Sequence, residues 1–268
     1  MQYVAIHSVP RSGSTWLGQI FNSHPKVNFR YQPLFSYAFK DYLNEASSSE
    51  DIEAFFKNIS SSDDDFINQK EDIKKGIVPD FSTDEDFTHI CYKEVRYHHI
   101  LENLMAKHTS VKLILLIRNP LATLYSWKNA PKEFRADQGW DFENEWQFAP
   151  SKNLDKKEEF NGYEKWKEAT TLYHNLKKQY PERVMIISYN ELMSDTTAVV
   201  ERLFDFVNLK VAESTKDFLK KSTSVSQADA YSVFKQRTKD ENWKALPDPI
   251  IEYIVKDLKH SELEIYLD

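Results

Sequence analysis

The stretch SVPRSGSTW at residues 8–16 decides the fold of this chain. It follows a short apolar strand, predicted for residues 3–6, and leads into an amphipathic helix. A strand that enters a tight turn at Gly13 and then a helix start gathers unpaired backbone N–H groups at one point, where the helix dipole also favours negative charge. The side chains that can add a forked cation or hydroxyls are Arg11, Ser12, Ser14 and Thr15. The loop therefore predicts an anion site, and a polar turn that only caps the helix is the alternative.

A second unit of the same kind is KLILLIRNPLATLYSWKN, residues 112–129. Its apolar strand ends at Arg118, Asn119 is placed to cap a helix, and Pro120 stands at the first helical position. Ser126 lies eight residues after Arg118, a little over two helical turns, so both side chains can reach one ligand group. For one such unit, an arginine and a serine without a common ligand is the better interpretation. Two units in one chain favour binding.

Together the two segments resemble the sulfotransferase family, whose donor is 3′-phosphoadenosine-5′-phosphosulfate (PAPS) and whose nucleotide product is adenosine 3′,5′-bisphosphate (PAP). The segment PRSGSTW is similar to the family's 5′-phosphosulfate loop, with arginine where many cytosolic members have lysine. The segment LLIRNPLATLYSW is similar to its 3′-phosphate signature. RSGSTWLGQIFNSHPKV most resembles carbohydrate sulfotransferases. The resemblance implies a P-loop-like α/β fold of three layers, with a central parallel sheet flanked by helices.

The resemblance also implies the residues that bind the donor. The residues expected to bind the 5′-phosphosulfate group are Arg11, Ser12, Gly13, Ser14 and Thr15. Arg11 is expected at the sulfuryl group as a catalytic residue. The 3′-phosphate is expected to bind Arg118 and Ser126. Trp16 is expected near the adenine or in the packing of the helix. VMIISYNELMSD at 184–195 places Tyr189 at the adenine, and FKQRTKDENWK at 234–244 offers Lys235, Arg237 and Lys239 where the family has Arg-Lys-Gly.

Composition and element order predict one α/β domain over residues 1–268. Strand-like runs at 3–7, 88–93, 112–117 and 184–188 alternate with helix-like stretches at 14–23, 97–108, 120–129, 163–180 and 196–207, which favours parallel strands with helices on both faces. A C-terminal helical part at 212–268 is expected to pack over the nucleotide side. The lone Cys91, in an apolar run, excludes an internal disulfide.

Charge is uneven along the chain, whose net charge of −7 argues against general affinity for nucleic acid. Residues 41–72 hold ten acidic residues and two lysines, which predicts a solvated acidic insertion or lid around 41–87. The sequence shows no apolar stretch of signal or membrane-spanning length, which predicts a cytoplasmic enzyme. Since Golgi-resident carbohydrate sulfotransferases carry an anchor, we expect a bacterial-type enzyme or an excised domain. The spacing of the eight histidines predicts no metal site.

The general base, which takes the proton from the hydroxyl of the acceptor substrate, is predicted less directly. Cytosolic members have a histidine soon after a lysine on the second strand, whereas this chain reads YKEVR at 92–96. Glu94 is the natural substitute, and His98, His99 and then His7 are the alternatives. Many carbohydrate members also carry Glu-Pro after the first helix, but Gln32 precedes the proline here. An amide can bind a sugar hydroxyl but cannot accept its proton.

The acceptor is expected to be a carbohydrate or glycolipid, with a small hydroxylated molecule as the alternative. Aromatic residues cluster at 29–42 and 134–148, and sugar rings stack on such walls. Packing of loops onto the core is the competing interpretation of both clusters. Two other functions stay open at this point: a P-loop kinase, whose first glycine and lysine the loop lacks, and a catalytically silent nucleotide-binding protein.

Overall fold

The computed structural model describes residues 1–225, 227, 229–234 and 241–267. Its sheet consists of the strands β1 (Gln2–His7), β2 (Val27–Tyr31), β3 (His89–Glu94), β4 (Val111–Ile117) and β5 (Val184–Ser188). They lie in the order β2-β3-β1-β4-β5, and each neighbouring pair is parallel. The predicted α/β fold with a central parallel sheet is confirmed.

The register brings the carboxyl ends of the central strands to one level. His7 at the end of β1 pairs with Glu94 on one side and Leu115 on the other. Tyr31 at the end of β2 pairs with Lys93. Ligands of open parallel sheets bind outside the carboxyl ends of the strands, so the loops that follow these strands can form one site.

Helices cover both faces of the sheet. The α-helices in the described ranges are α1 (Ser14–Asn22), α2 (Ser49–Ser60), α3 (Lys70–Lys74), α4 (Leu101–Lys107), α5 (Pro120–Lys128), α6 (Phe142–Glu145), α7 (Pro150–Asn153), α8 (Tyr163–Gln179), α9 (Tyr189–Ser194), α10 (Thr196–Phe206), α11 (Glu213–Ser224) and α12 (Asp248–Leu258). Short 3₁₀ turns lie at Pro33–Phe35, His98–Ile100, Ala136–Gln138, Asn242–Ala245 and Glu264–Tyr266.

Two cores result from the alternation of side chains along the strands. Tyr3 and Ala5 of β1 point into a core with α2, α4, α5, α8 and α12. Val4 and Ile6 of the same strand point into a core with α1, α9, α10 and α11. The molecule is therefore a three-layer helix–sheet–helix structure.

Helix α2 belongs to the packed helical layer, in contrast to the solvated insertion or lid expected around 41–87. Ile52, Phe55, Phe56 and Ile59 on one face of the helix are fully buried. The ring of Phe56 stacks on Tyr3 with 4.4 Å between the centroids. The acidic residues of this segment thus coat the outer face of a helix whose inner face is apolar.

The C-terminal part, for which helices over the nucleotide side are expected at 212–268, places its helices on both faces of the sheet. Phe218 of α11 lies in the core beside α1, whereas Ile254 of α12 lies in the core on the opposite face. Strand β2 was not predicted, because its five residues include the polar Asn28 and Arg30 and give a weak pattern. The guanidinium of Arg30 donates hydrogen bonds to the carbonyl oxygens of Ile59 and Ser60, each 2.6 Å away, and these bonds allow an arginine in a packed strand.

Candidate active site

The loop between β1 and α1 has the conformation that an anion-binding turn needs. Gly13 precedes the helix in the left-handed region, with φ of 91°. A Cβ atom at Gly13 would lie 2.5 Å from Cε2 of Tyr189, so the ring of Tyr189 packs directly on the glycine. Glycine is required here both by its φ and by this close approach. Tyr189 is thereby placed against the loop, in keeping with the prediction that both touch one nucleotide.

The hydroxyls of the loop differ in their surroundings. Ser12 is fully buried, and its Oγ has no hydrogen-bond partner among the residues described. Ser14 is also buried, at the first position of α1. Thr15 is half-buried and lies beside Tyr31. Burial raises the pKa of Tyr31 to about 12, and hydrogen bonds with Gln32 and Thr15 oppose this shift. Close to the start of α1, the loop thus holds a buried hydroxyl that has no hydrogen-bond partner in the part of the chain that the structure describes.

Arg11 joins the loop to the helix of the second unit. Its Nε donates to Oγ of Ser126 at 3.2 Å, and its Nη1 forms an ion pair with Glu133 at 3.2 Å. Its Nη2 donates to the carbonyl oxygen of Ala230, and the guanidinium lies 5.1 Å from the ring centroid of Tyr231. The arginine predicted for the sulfuryl group therefore contacts the serine predicted for the 3′-phosphate.

Arg118 lies on the other side of the same loop. Its Nη1 donates to the carbonyl oxygen of Arg11 at 2.6 Å, and its guanidinium lies 4.9 Å from the ring centroid of Tyr189. Its own carbonyl oxygen accepts from Nε1 of Trp166 at 2.9 Å. As predicted, Asn119 caps α5, by accepting from the N–H groups of residues 121 and 122. Four residues of the predicted donor site, Arg11, Arg118, Ser126 and Tyr189, thus form one continuous set of contacts.

Trp16 is placed in the core. It is 2% exposed, and its Nε1 donates to Oγ of Ser222 on α11 at 3.1 Å. Of the two positions predicted for Trp16, near the adenine or in the packing of α1, the structure shows the second. Lys235, Arg237 and Lys239, predicted as further contacts to the 3′-phosphate, lie outside the described residues.

At the end of β3, Lys93 and Glu94 are both buried. Lys93 lies on the face of β3 that carries α1, with its Nζ 4.5 Å from the ring centroid of Tyr31. Burial lowers its pKa, an effect that Glu94 and Glu133 oppose. Glu94 projects from the opposite face, where its Oε1 accepts from the backbone N–H of Leu34 at 2.9 Å. Burial raises the pKa of Glu94, and Lys93 opposes this shift.

The remaining oxygen of Glu94 is relevant to its predicted role as the base. Within the part of the chain that the structure describes, Oε2 of Glu94 is buried and has no hydrogen-bond partner. The bond from Leu34 fixes the turn at Pro33–Phe35 above the strand end. Glu94 therefore anchors this turn with one oxygen and keeps the other available.

The histidine alternatives are placed differently. His7 and His98 are fully buried, and their Nδ1 atoms are 3.0 Å apart. Nε2 of His7 contacts the hydroxyl of Tyr92, and Nε2 of His98 contacts the hydroxyl of Tyr173, each at 3.2 Å. Because both nitrogens of both rings are engaged inside the core, the structure does not support His98 or His7 as the base. His99 is half-buried and lies near Glu45 and Lys157.

Several charged residues around this site were not singled out from the sequence. Arg96 forms a two-oxygen ion pair with Glu159 at 3.0 Å, donates to Oε1 of Gln32, and lies 4.0 Å from the ring centroid of Phe35. Burial lowers the pKa of Lys152, and the charge of Arg96 adds to that effect. Gln32, at the place of the family's Glu-Pro pair, is thus held by an arginine. No periodicity marks Glu133, Lys152 or Glu159, because each comes from a loop or short helix.

The two aromatic clusters have different surroundings. Phe35 and Phe66 are 45% and 39% exposed, and Phe66 lies within 6 Å of the rings of Phe35 and Tyr31. In the other cluster, Phe134 and Phe142 are buried against Trp127. Phe35 of the first cluster is therefore an exposed ring beside Arg96, next to Phe66 from outside the cluster. The rings of Phe134 and Phe142 in the second cluster are packed in the core.

Among the described residues, no group of three His, Cys, Asp or Glu side chains is close enough to hold a metal ion. Along the same ranges, no helix combines the length and apolar character that crossing a membrane requires.

Comparisons with known proteins agree with the geometry. A family model described as "Sulfotransferase family" matches residues 4–213. Mouse sulfotransferase SULT7A1 complexed with PAP has a TM-score of 0.55 at 15% identity, over 99% of this chain and 87% of that chain. The sulfotransferase domain of the Synechococcus PCC 7002 olefin synthase gives 0.52 at 17%, over 95% and 94%. Retinol dehydratase in complex with androsterone and inactive cofactor PAP gives 0.56 at 15%, over 97% and 82%. No curated protein matches the chain by sequence.

Proposed function

Because the chain belongs to the sulfotransferase family, we propose that it transfers the sulfuryl group of PAPS to a hydroxyl of an acceptor. The observation that carries this proposal is the contact of the phosphosulfate loop with Arg118, Ser126 and Tyr189 at the carboxyl edge of the sheet. Two separate cations at that edge suit a donor with separate 5′ and 3′ phosphates. PAP in the solved structures of mouse SULT7A1 and retinol dehydratase supports the same donor.

The residues of the loop supply what the reaction needs. In the transfer, the bond between sulfur and the bridging oxygen of the 5′-phosphate breaks, and a bond forms between sulfur and the acceptor oxygen. Negative charge develops on the bridging oxygen, so backbone N–H groups at the start of α1 and the guanidinium of Arg11 would stabilise it. Arg118 and Ser126 would hold the 3′-phosphate, and Tyr189 would contact the adenine.

Glu94 remains our proposal for the base. Its raised pKa suits a carboxylate that takes up a proton near neutral pH, and its unshared Oε2 can accept the proton of the acceptor hydroxyl. Lys93 next to it keeps the ionised form available through its positive charge. His99 is the alternative that the structure leaves outside the core.

A carbohydrate or glycolipid is the acceptor that we favour. The exposed ring of Phe35 lies beside Arg96, which donates to Gln32, and the exposed ring of Phe66 lies next to Phe35. This arrangement combines stacking surfaces with hydrogen-bonding groups, as sugar sites do. A small hydroxylated molecule is the second candidate, since the retinol dehydratase named above was solved with androsterone.

Two experiments test the proposal. Calorimetry should show tighter binding of PAP than of 5′-AMP, and equal affinity would contradict the donor assignment. A screen of glycans, glycolipids, sterols and phenols with ³⁵S-labelled PAPS then tests transfer and acceptor class together. Transfer to sterols or phenols but not to glycans would replace the carbohydrate proposal with the second candidate.

A further inference from the structure

A small cavity lies directly behind the candidate donor site. It leaves about 10 Å³ for the centre of a water molecule, which is the room that one buried water needs. Val9 and Pro10 of the phosphosulfate loop form one wall, and Thr123 and Trp127 of α5 form another. Asn161 and Trp166 belong to the rest of the lining.

Three residues of this lining each carry a buried polar atom that has no hydrogen-bond partner within the described ranges: Thr123 Oγ1, Trp127 Nε1 and Asn161 Oδ1. The three residues are only 7%, 2% and 3% exposed. Buried polar groups without a partner are rare and costly in folded proteins. Three of them around one cavity require a common explanation.

We propose that this cavity is a binding site for one ordered water, which bridges α5 to the turn at Asn161 behind the phosphosulfate loop. Trp127 Nε1 can only donate, so the water accepts there. The Nδ2 atom of Asn161 donates to Asn153 and Glu159, so its Oδ1 is the acceptor to which the water donates. The hydroxyl of Thr123 can take either role. Three bonds to the protein are typical of a buried water.

The chemistry of the lining excludes ions. The indole N–H of Trp127 would repel a cation, and the amide oxygen of Asn161 would repel an anion. No carboxylate, lysine or arginine is part of the described lining. An apolar ligand would leave all three polar atoms unsatisfied. A neutral molecule of water size with donors and an acceptor is the occupant that fits.

The location gives the water a positioning role. Trp166, which also lines the cavity, donates to the carbonyl oxygen of Arg118, and Arg118 donates to the carbonyl oxygen of Arg11. The water thus supports the structure behind both arginines of the candidate donor site. Its loss should weaken PAP binding as well as folding.

The test combines a crystal structure with paired substitutions. Electron density at high resolution should show one water within hydrogen-bond distance of all three atoms; a dry cavity, or direct bonds among the three atoms, would overturn the proposal. Thr123→Val and Trp127→Phe should each lower the folding equilibrium constant about tenfold. Since either change releases the same water, the double variant should lose much less than the product of the two.

A control pair completes the design. Thr170→Val removes a buried hydroxyl that bonds the carbonyl oxygen of Trp166 and is not part of the cavity lining. In the double variant with Trp127→Phe, the two effects on the folding equilibrium constant should therefore multiply. Multiplicative effects in the Thr123–Trp127 pair as well as in the control pair would refute a shared water.

A separate observation concerns Glu133, and this inference rests on the proposed function. Its carboxylate pairs with Arg11 at 3.2 Å, and the two side chains are 22% and 15% exposed. The other contacts given above for Arg11 are neutral: Ser126, Ala230 and Tyr231. We infer that Glu133 is a positioning residue that holds Arg11 toward Ser126 and competes with the donor's phosphate for the guanidinium.

Calorimetry with PAP tests this competition. Glu133→Gln should bind PAP about two- to fivefold more tightly than the wild type, the range expected for loss of a partly exposed ion pair. Glu262→Gln, which removes the same charge at an exposed pair with Lys178, should leave the affinity unchanged. Equal or weaker binding by Glu133→Gln would overturn the inference. Failure of all three proteins to bind PAP would instead contradict the proposed function.

Discussion

Acid should destabilise this protein through the buried pair of His7 and His98. The Nδ1 atoms lie 3.0 Å apart, so one ring must donate and the other must accept. A proton added to the ring whose Nδ1 accepts places two N–H groups against each other, and a proton added to the other ring must go to its Nε2, which contacts a tyrosine hydroxyl. Burial, with a smaller contribution from Lys93, lowers the pKa of His7 to about 3, and burial lowers the pKa of His98 in the same direction.

The sign of the effect follows from linkage. The unfolded chain takes up the His7 proton near pH 6.5, well above the folded pKa, so the unfolded state binds more protons in between. The contribution of His7 is therefore intact above pH 6.5 and is lost as the pH falls toward 3. The slope is about 1.4 kcal/mol per pH unit, or about 3 kcal/mol between pH 6.5 and 4.5.

Urea unfolding at pH 7.5, 6.5, 5.5 and 4.5 measures this slope. His7→Asn keeps a polar atom near His98 and removes the titrating ring, so its free energy of unfolding should fall less steeply by about 1.4 kcal/mol per pH unit. His260→Gln, at an exposed histidine, should keep the slope of the wild type. Equal slopes in the wild type and His7→Asn would refute the argument, whatever the absolute stability of the variant.

Three further predictions concern the candidate site. Arg118→Ala should remove most of the preference for PAP over 5′-AMP, about tenfold or more in the ratio of calorimetric affinities, because a charge-assisted contact is lost; an unchanged ratio contradicts the 3′-phosphate assignment. Arg11→Ala should lower kcat far more than PAP affinity, since its charge is needed most when the leaving oxygen becomes negative; a raised KM at unchanged kcat would make it a binding residue. Glu94→Gln should reduce the transfer rate about 10²- to 10⁴-fold with PAP affinity unchanged, and a lower Tm with a normal rate would leave only its bond to Leu34.

The turn and the helix starts of the candidate donor side could be predicted because their determinants are local in sequence. Gly13 is needed where the chain turns into α1, and Asn119 with Pro120 starts α5 at a fixed distance from Arg118. These requirements depend on turn and helix geometry, which short segments encode. The same locality explains why β5 was predicted from its apolar run and β2, whose five residues include Asn28 and Arg30, was not.

The acceptor side could not be predicted because its contacts join distant segments. Arg96 pairs with Glu159 and bonds Gln32, residues that lie 63 and 64 positions away in the sequence. A sequence pattern of one strand or helix carries no sign of such pairs. His98 shows the opposite case: its position after β3 suited a base, but burial against His7 decides its role.

The structure also indicates why the donor and acceptor sides differ in kind. On the candidate donor side, the ring of Tyr189 packs on Gly13 and beside Arg118, and Arg118 bonds the backbone of the loop. The candidate acceptor side relies on an ion pair between loop residues, Arg96 with Glu159. Such pairs can be exchanged for ligand contacts at small cost. One donor combined with varied acceptors is the outcome that this division favours.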